Sequence, residues 1–128
     1  MTKIYLIRHA EAEGNLYRRI QGHWDGSITA LGLQQIDALA QRFRHEHIDA
    51  LYCSNLSRAR VTAEAITRYH DVPAVATPRL AEIRMGVWEG RAWGDVEHEF
   101  PEQMRYFNTD PEKWSVPGGE PIREVQKR

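Results

Sequence analysis

The sequence predicts an α/β domain built as a three-layer sandwich: a mainly parallel sheet with helices packed on its faces. Three observations carry that expectation. Short apolar runs recur at KIYLI, DALYCS and VPAVATP. The segments between them space their apolar residues as helices do. The connections are also long enough to cross over between parallel strands. With 128 residues the chain has the length of one domain with a core, and falls short of two.

The first strand, Lys3 to Ile7, runs directly into Arg8, His9 and two glutamates. From Ala10 to Ile28 the sequence AEAEGNLYRRIQGHWDGSI has no helical period and is rich in polar residues and glycine, which reads as a long ordered loop. Loops of that length in compact domains are often functional. Thr29 stands where it can cap a helix through ALGLQQIDALAQRFRHEH, in which Leu33, Ile36, Ala40 and Phe43, with Leu39 alongside, form one apolar stripe. DALYCS is the second strand. NLSRARVTAEAITRYH follows with helical spacing at Ala59, Ala63 and Ile66, and Asn55 or Ser57 is available as its cap.

VPAVATP makes a third, shorter strand. Beyond it come a Gly- and Trp-rich turn at MGVWEGRAWG, a helical patch at DVEHEFPEQMRYF and a loop through NTDPEKWSVPGGE. The last segment, PIREVQKR, opens a helix well, with Pro121 in its first turn and Ile122 and Val125 starting an apolar face. It stops after about two turns without a glycine cap. Three strands are also few where about five or six are usual. The expectation is therefore that residues 1–128 form an incomplete domain.

Lys and Arg total 17 against 18 Asp and Glu, a net charge of -1. No overall field recruits nucleic acid or an anionic membrane, so any anion site must be local. The apolar run at the start is broken by Arg8 and His9, too short for a signal-peptide core or a membrane span. With a mean hydropathy of -0.62, a soluble cytoplasmic protein is expected. The lone Cys53 has no partner for an internal disulfide, which fits a reducing compartment, and it reads as a small core residue.

Parallel α/β sheets bind ligands beyond the carboxyl ends of their strands. Arg8 and His9 leave the first strand at that end, Ser54 to Arg58 leave the second, and Glu82 follows the third. They share one rim and are chemically coherent there. Two guanidiniums suit fork-like binding of phosphate oxygens, an imidazole suits nucleophilic attack, and a carboxyl group suits proton transfer. Arg58 lies in the first turn of its helix, where free backbone N–H groups add to an anion site.

Six segments carry a more specific signal: LIRHAEAEGN, QGHWD, ITALGLQQ, SNLSRARVTAEAI, EIRMGVWEG and PGGEPIREV. In their order and spacing they resemble the histidine phosphatase superfamily, the phosphoglycerate mutase-like enzymes, along essentially the whole chain. The resemblance implies that His9 accepts the phosphoryl group as a phosphohistidine. It implies that Arg8 and Arg58 bind the phosphate oxygens, that Asn15, Gln21 and Gly22 contact phosphate or substrate, and that Glu82 protonates the leaving alcohol. Arginine clamps of this kind stabilise a phosphoryl transition state without a metal, so neither metal nor cofactor is expected.

Two departures from the family pattern stand out. Ala10 replaces the usual glycine after Arg-His, which is tolerable if φ there is negative. The family's second pocket histidine, on a later strand after the GGE helix, has no counterpart in the 128 residues.

The remaining histidines read as structural or exposed. His23 is expected at the pocket mouth; His45, His47 and His70 are expected in last turns of helices; His98 is expected on a helix surface. A metal site at His9, Glu11 and Glu13 is disfavoured, because alternation in a loop fixes no ligand geometry. Trp88, Trp93 and Trp114 read as packing, with Tyr106, Phe107 and Trp114 as candidates for a substrate lid.

The resulting expectation is metal-independent hydrolysis of a small phosphorylated metabolite. Phosphoglycerate mutase-type transfer and non-catalytic binding of phospho-ligands are the alternatives. No nucleic-acid or membrane partner is expected. A sheet lacking a strand exposes an edge on which a second copy could pair as a homodimer, or on which the chain could aggregate; the sequence leaves the oligomeric state open.

Overall fold

Two of the three expected strands pair with each other. The computed structural model describes all 128 residues, and in it β1 (Leu51–Ser54) and β2 (Ala74–Thr77) form a parallel ladder with Leu51 opposite Ala74 and Ser54 opposite Thr77. Six helices accompany them: α1 (Glu13–Leu16), α2 (Ala30–Phe43), α3 (Ser57–Thr67), α4 (Trp93–Glu99), α5 (Pro101–Thr109) and α6 (Ile122–Lys127). The crossover between β1 and β2 is α3, which packs on α2 through a small core of Ala10, Ile36, Ala40 and Ala65. No helix is long and apolar enough to cross a membrane.

The expected first strand does not form. Residues 3–8 join no ladder, and Ile4 and Leu6 are 84% and 98% exposed. An apolar run of this kind suits a central strand, which needs neighbours at both edges and cover on both faces. Here side chains hold it instead. The Tyr5 ring meets Phe43 edge-on at 4.9 Å, and its hydroxyl donates to Glu46 Oε2 at 2.5 Å. Arg42 Nη1 donates to the other Glu46 oxygen at 2.8 Å. The Tyr5 hydroxyl, with Arg42 next, holds the Glu46 carboxyl down to about 2. A largely apolar cleft of about 400 Å³ separates residues 5–9 from β1 and α3.

Thr29 caps α2 as expected, its Oγ1 accepting from Gly32 N–H at 3.0 Å. The buried stripe is Gly32, Ile36, Ala40 and Phe43, whereas Leu33 is 53% exposed. The stripe turns that way because the preceding loop lies against Gly32, where an added Cβ would come within 2.2 Å of the Glu11 carbonyl oxygen. The loop itself contains α1 and touches both halves of the molecule, through an antiparallel bridge from Ala12 to Ile28 and another from Arg19 to Ala92.

The less regular half has its own core. Ile20, Met85, Trp88, Val96, Met104, Trp114 and Val116 are buried together, with Phe100 and Phe107 packed against them. The single helical patch expected there is two helices. Pro101 takes the first position of α5 and Phe100 between them leaves helical geometry, at φ -125 and ψ 54. Trp88 is fully buried and meets Trp114 at 5.5 Å and Phe107 at 6.0 Å. Trp88 and Trp114 are thus packing residues, as expected, although neither indole N–H has an acceptor. Cys53 is a free, buried thiol whose pKa is raised by burial. Replacing Trp88 by Ala is expected to cost about 3–5 kcal/mol, read as a lowered urea midpoint; a loss under about 1 kcal/mol would show that this cluster is not a cooperative core.

Candidate active site

Where the chain leaves residues 3–8, a hydrogen-bond relay fixes it. The Ala10 N–H donates to Thr62 Oγ1 at 2.9 Å, and that hydroxyl donates one turn back to the Arg58 carbonyl at 2.7 Å. Ala10 is buried, and its carbonyl lies 2.7 Å from His9 Nδ1. A carbonyl only accepts, so Nδ1 carries the proton and, in the neutral ring, Nε2 keeps its lone pair. Burial lowers the His9 pKa, and the positive charges of Arg58 and Arg8 add to that; the bond to Ala10 and the charge of Glu82 oppose it.

Arg58 is 2% exposed. Its Nη2 donates to the Gly22 carbonyl at 2.8 Å, and its Nη1 reaches the Trp24 carbonyl and Asp25 Oδ1, both at 3.3 Å. Asp25 also accepts the backbone N–H groups of Ser57 and Arg58. The cap of α3 is therefore Asp25 from the long loop, not Asn55 or Ser57. One carboxylate both neutralises the buried guanidinium and satisfies the first turn of its helix.

Gly22 is positioned from the other side. Its φ is 50, and an added Cβ would lie 2.5 Å from Glu89 Oε1. That same Glu89 oxygen accepts from His23 N–H at 2.9 Å and Met85 N–H at 2.8 Å, joining the loop to the turn that follows Glu82. The His23 ring donates from Nε2 to the Glu82 carbonyl at 2.8 Å. Glu82 itself is exposed, with Oε1 accepting from Ile83 N–H at 2.9 Å.

These elements enclose a cleft of about 520 Å³ lined by Arg8, His9, Asn15, Gln21, Gly22, Arg58 and Glu82, all seven of the residues singled out from the sequence. Asn15 Oδ1 accepts from Ala12 N–H at 3.0 Å. Gln21 Oε1 is buried with no partner in the protein. Arg18, Trp93 and Phe107 complete the wall. Phe107 was expected near a lid, whereas Trp114 belongs to the core and Trp93 is partly exposed at the cleft. Within a chain of net charge -1 the cleft brings four arginines together with one glutamate. Such a site can hold a phosphate dianion against a neutral imidazole lone pair.

Sequence reasoning missed Asp25, Thr62 and Glu89, which touch the site only through backbone groups or Arg58. Asp25 and Glu89 carried a weak signal, as carboxylates beside glycine and tryptophan in otherwise turn-like segments. His45, His47 and His70 lie beyond the ends of α2 and α3 rather than in their last turns as expected; His47 pairs with Asp49 on the surface, and His70 donates to the Phe43 carbonyl at the end of α2. No three His, Cys, Asp or Glu side chains are grouped as metal ligands.

The sequence profile of the histidine phosphatase superfamily (branch 1) matches residues 4–128. Phosphoserine phosphatase 1 of Hydrogenobacter thermophilus is 35% identical over the whole chain, which covers 61% of that protein. A Yersinia pestis protein named probable phosphoglycerate mutase GpmB is 34% identical over the whole chain, which covers 60% of it. The crystal structure of the α-ribazole phosphatase from Shigella flexneri superposes with a TM-score of 0.82 and 29% identity, over 94% of this chain and 60% of that one. The chain thus spans about three fifths of the length of these relatives.

Two expectations follow from the geometry. Asp25→Ala should cost about 3–5 kcal/mol, because it strips the counter-charge from a buried guanidinium and the cap from α3; urea unfolding checks it, and Asp25→Asn should cost less. In an NMR titration His9 should titrate below the ordinary histidine value, about 6.5. With the pKa depressed, the neutral ring persists below that value, and stability linked to it falls as pH drops through the folded pKa. A midpoint at or above 6.5 would show that the Ala10 bond and the Glu82 charge outweigh desolvation of the ring.

Proposed function

Because the chain belongs to the histidine phosphatase superfamily, we propose that it carries the phosphate-handling part of a metal-independent phosphomonoesterase working through phospho-His9. The observation that carries this reading is the bond from His9 Nδ1 to the Ala10 carbonyl, which leaves Nε2 as the nucleophile on a ring lining the arginine-rich cleft.

Nε2 attacks phosphorus and the bond to the substrate's ester oxygen breaks, while Glu82 in its acid form donates a proton to that oxygen. The alcohol leaves and a phosphohistidine remains. Glu82, now a carboxylate, takes a proton from the water that attacks phosphorus, so that inorganic phosphate departs and His9 is restored. Arg8 and the Arg58 donors not committed to Gly22, Trp24 and Asp25 balance the charge on the equatorial oxygens. Asn15, Gln21 and Gly22 line the substrate's path.

The substrate class is a small phosphorylated metabolite, in keeping with the names of the phosphoserine and α-ribazole phosphatases. Mutase-type transfer is the second reading, since one relative carries that name. Hydrolysis is favoured because the phosphoserine and α-ribazole relatives are named as phosphatases; a mutase would have to shield its phosphohistidine from water. We read residues 1–128 as an incomplete histidine phosphatase domain in a cytoplasmic protein, with the family's second pocket histidine supplied by the additional length that the relatives have. The β1–β2 sheet edges offer a route to a homodimer.

The test is hydrolysis of an aryl phosphate in the presence of a chelator, by this chain and by this chain fused to the C-terminal two fifths of the Hydrogenobacter relative. Turnover is expected, with an acid-labile phosphoenzyme, and His9→Ala should lower kcat/KM by about a thousandfold or more. Turnover indifferent to His9 would overturn the mechanism. Phosphate binding without turnover in both forms would establish the non-catalytic reading, and dependence on a bisphosphate primer would establish the mutase.

A further inference from the structure

Glu82 must deliver its proton accurately, yet its side chain is exposed and no other side chain holds its carboxyl group. What fixes it is its backbone, and the group that fixes the backbone is Arg128. Its guanidinium meets both oxygens of Glu120, Nε to Oε1 at 2.7 Å and Nη2 to Oε2 at 2.9 Å. The remaining donors run along the segment leading into Glu82: Nη1 reaches the carbonyls of Pro78, Arg79 and Ala81 at 3.5, 3.0 and 2.7 Å, and Nη2 reaches that of Glu82 at 3.3 Å.

Glu120 grips the other side of the same turn. Its N–H donates to the Arg84 carbonyl at 2.8 Å, and its Oε2 accepts from Arg84 N–H at 3.2 Å. The pair is well shielded, with the Arg128 and Glu120 side chains 20% and 13% exposed, and the Arg128 fork holds the Glu120 carboxyl below the usual carboxylate range. With His23 donating to the same Glu82 carbonyl, the residue is held between two donors from distant parts of the chain.

We propose that Arg128, locked by Glu120, is a positioning residue for the proton donor: it sets the backbone of residues 79–84 and thereby the reach of the Glu82 carboxyl toward the leaving oxygen. This rests on the reading of Glu82 as general acid. A planar fork is needed for it, because one guanidinium has to bridge two carboxylate oxygens and a row of carbonyls, which a lysine ammonium does not do.

The leaving group separates this role from plain structural damage. An alkyl alkoxide needs a proton as it departs and a p-nitrophenolate scarcely does. The experiment compares ethyl phosphate with p-nitrophenyl phosphate, in whichever of the two forms described above turns over, for wild type, Glu82→Gln, Arg128→Ala, Arg128→Lys and Glu120→Gln. Arg128→Ala is expected to lose about tenfold more kcat on the alkyl ester than on the aryl ester with KM little changed. Lys should restore only part of that, and Glu120→Gln should show a smaller loss of the same selectivity. Circular dichroism checks folding, and if Arg128→Ala is unfolded the Glu120→Gln and Arg128→Lys ratios decide. Equal losses on both esters, or none, in folded variants would overturn the proposal while leaving the phosphatase reading intact. A Glu82→Gln variant without alkyl selectivity would instead overturn Glu82 as the acid, and the role of Arg128 with it.

Discussion

A buried guanidinium has to be satisfied on all sides or it cannot stay buried. Around Arg58 that requirement organises much of the site. The long loop curls back to present the carbonyls of Gly22 and Trp24 and the carboxylate of Asp25. In doing so it caps α3 and brings Gln21 and Gly22 to the cleft. The helix that carries Arg58 also carries Thr62, the anchor of Ala10 and hence of His9. The backbone beside His9, the Arg58 guanidinium and the loop at residues 21–25 are therefore not three separately placed features, since each depends on how this one charge is surrounded.

The two cores divide the labour. The small α2–α3 core of alanines and Ile36 allows the close approach that lets Ala10 hydrogen-bond into α3. The aromatic core around Trp88 holds the irregular half, including Met85 and Ile20, against the same loop. Bridges at Ala12–Ile28 and Arg19–Ala92 make residues 10–28 the seam between them. The cleft sits on that seam, walled by His9 and Arg58 from one half and by Trp93 and Phe107 from the other.

Much of this was legible in the sequence, for identifiable reasons. Helices α2 and α3 announce themselves by periodicity, and Thr29 by its capping chemistry. Arg58 and Glu82 could be placed from the ends of strands that do pair, whereas Arg8 and His9 were reached through a strand that does not form, and Asn15, Gln21 and Gly22 through the family motifs alone. The first strand was read wrongly because its composition describes a central strand while its pairing depends on neighbours that periodicity does not count. Leu33 was misplaced because Gly32, an apparent gap in the stripe, is where the loop makes its closest approach. Asp25 as a cap lies 32 residues from the Ser57 N–H it satisfies, beyond the reach of any local capping rule. Glu89 and Arg128 escaped for a similar reason, since each also holds backbone groups distant in sequence, the His23 N–H for Glu89 and the carbonyls of residues 79–82 for Arg128.

Thr62 has a consequence for substitution. Its hydroxyl accepts from the Ala10 N–H and donates to the Arg58 carbonyl, so one side chain ties the backbone beside His9 to the helix that carries Arg58. Loss of that hydroxyl would leave a buried N–H without its acceptor and release the two segments from each other. The separation of imidazole and guanidinium is thus governed by a side chain hydrogen-bonded to neither of them.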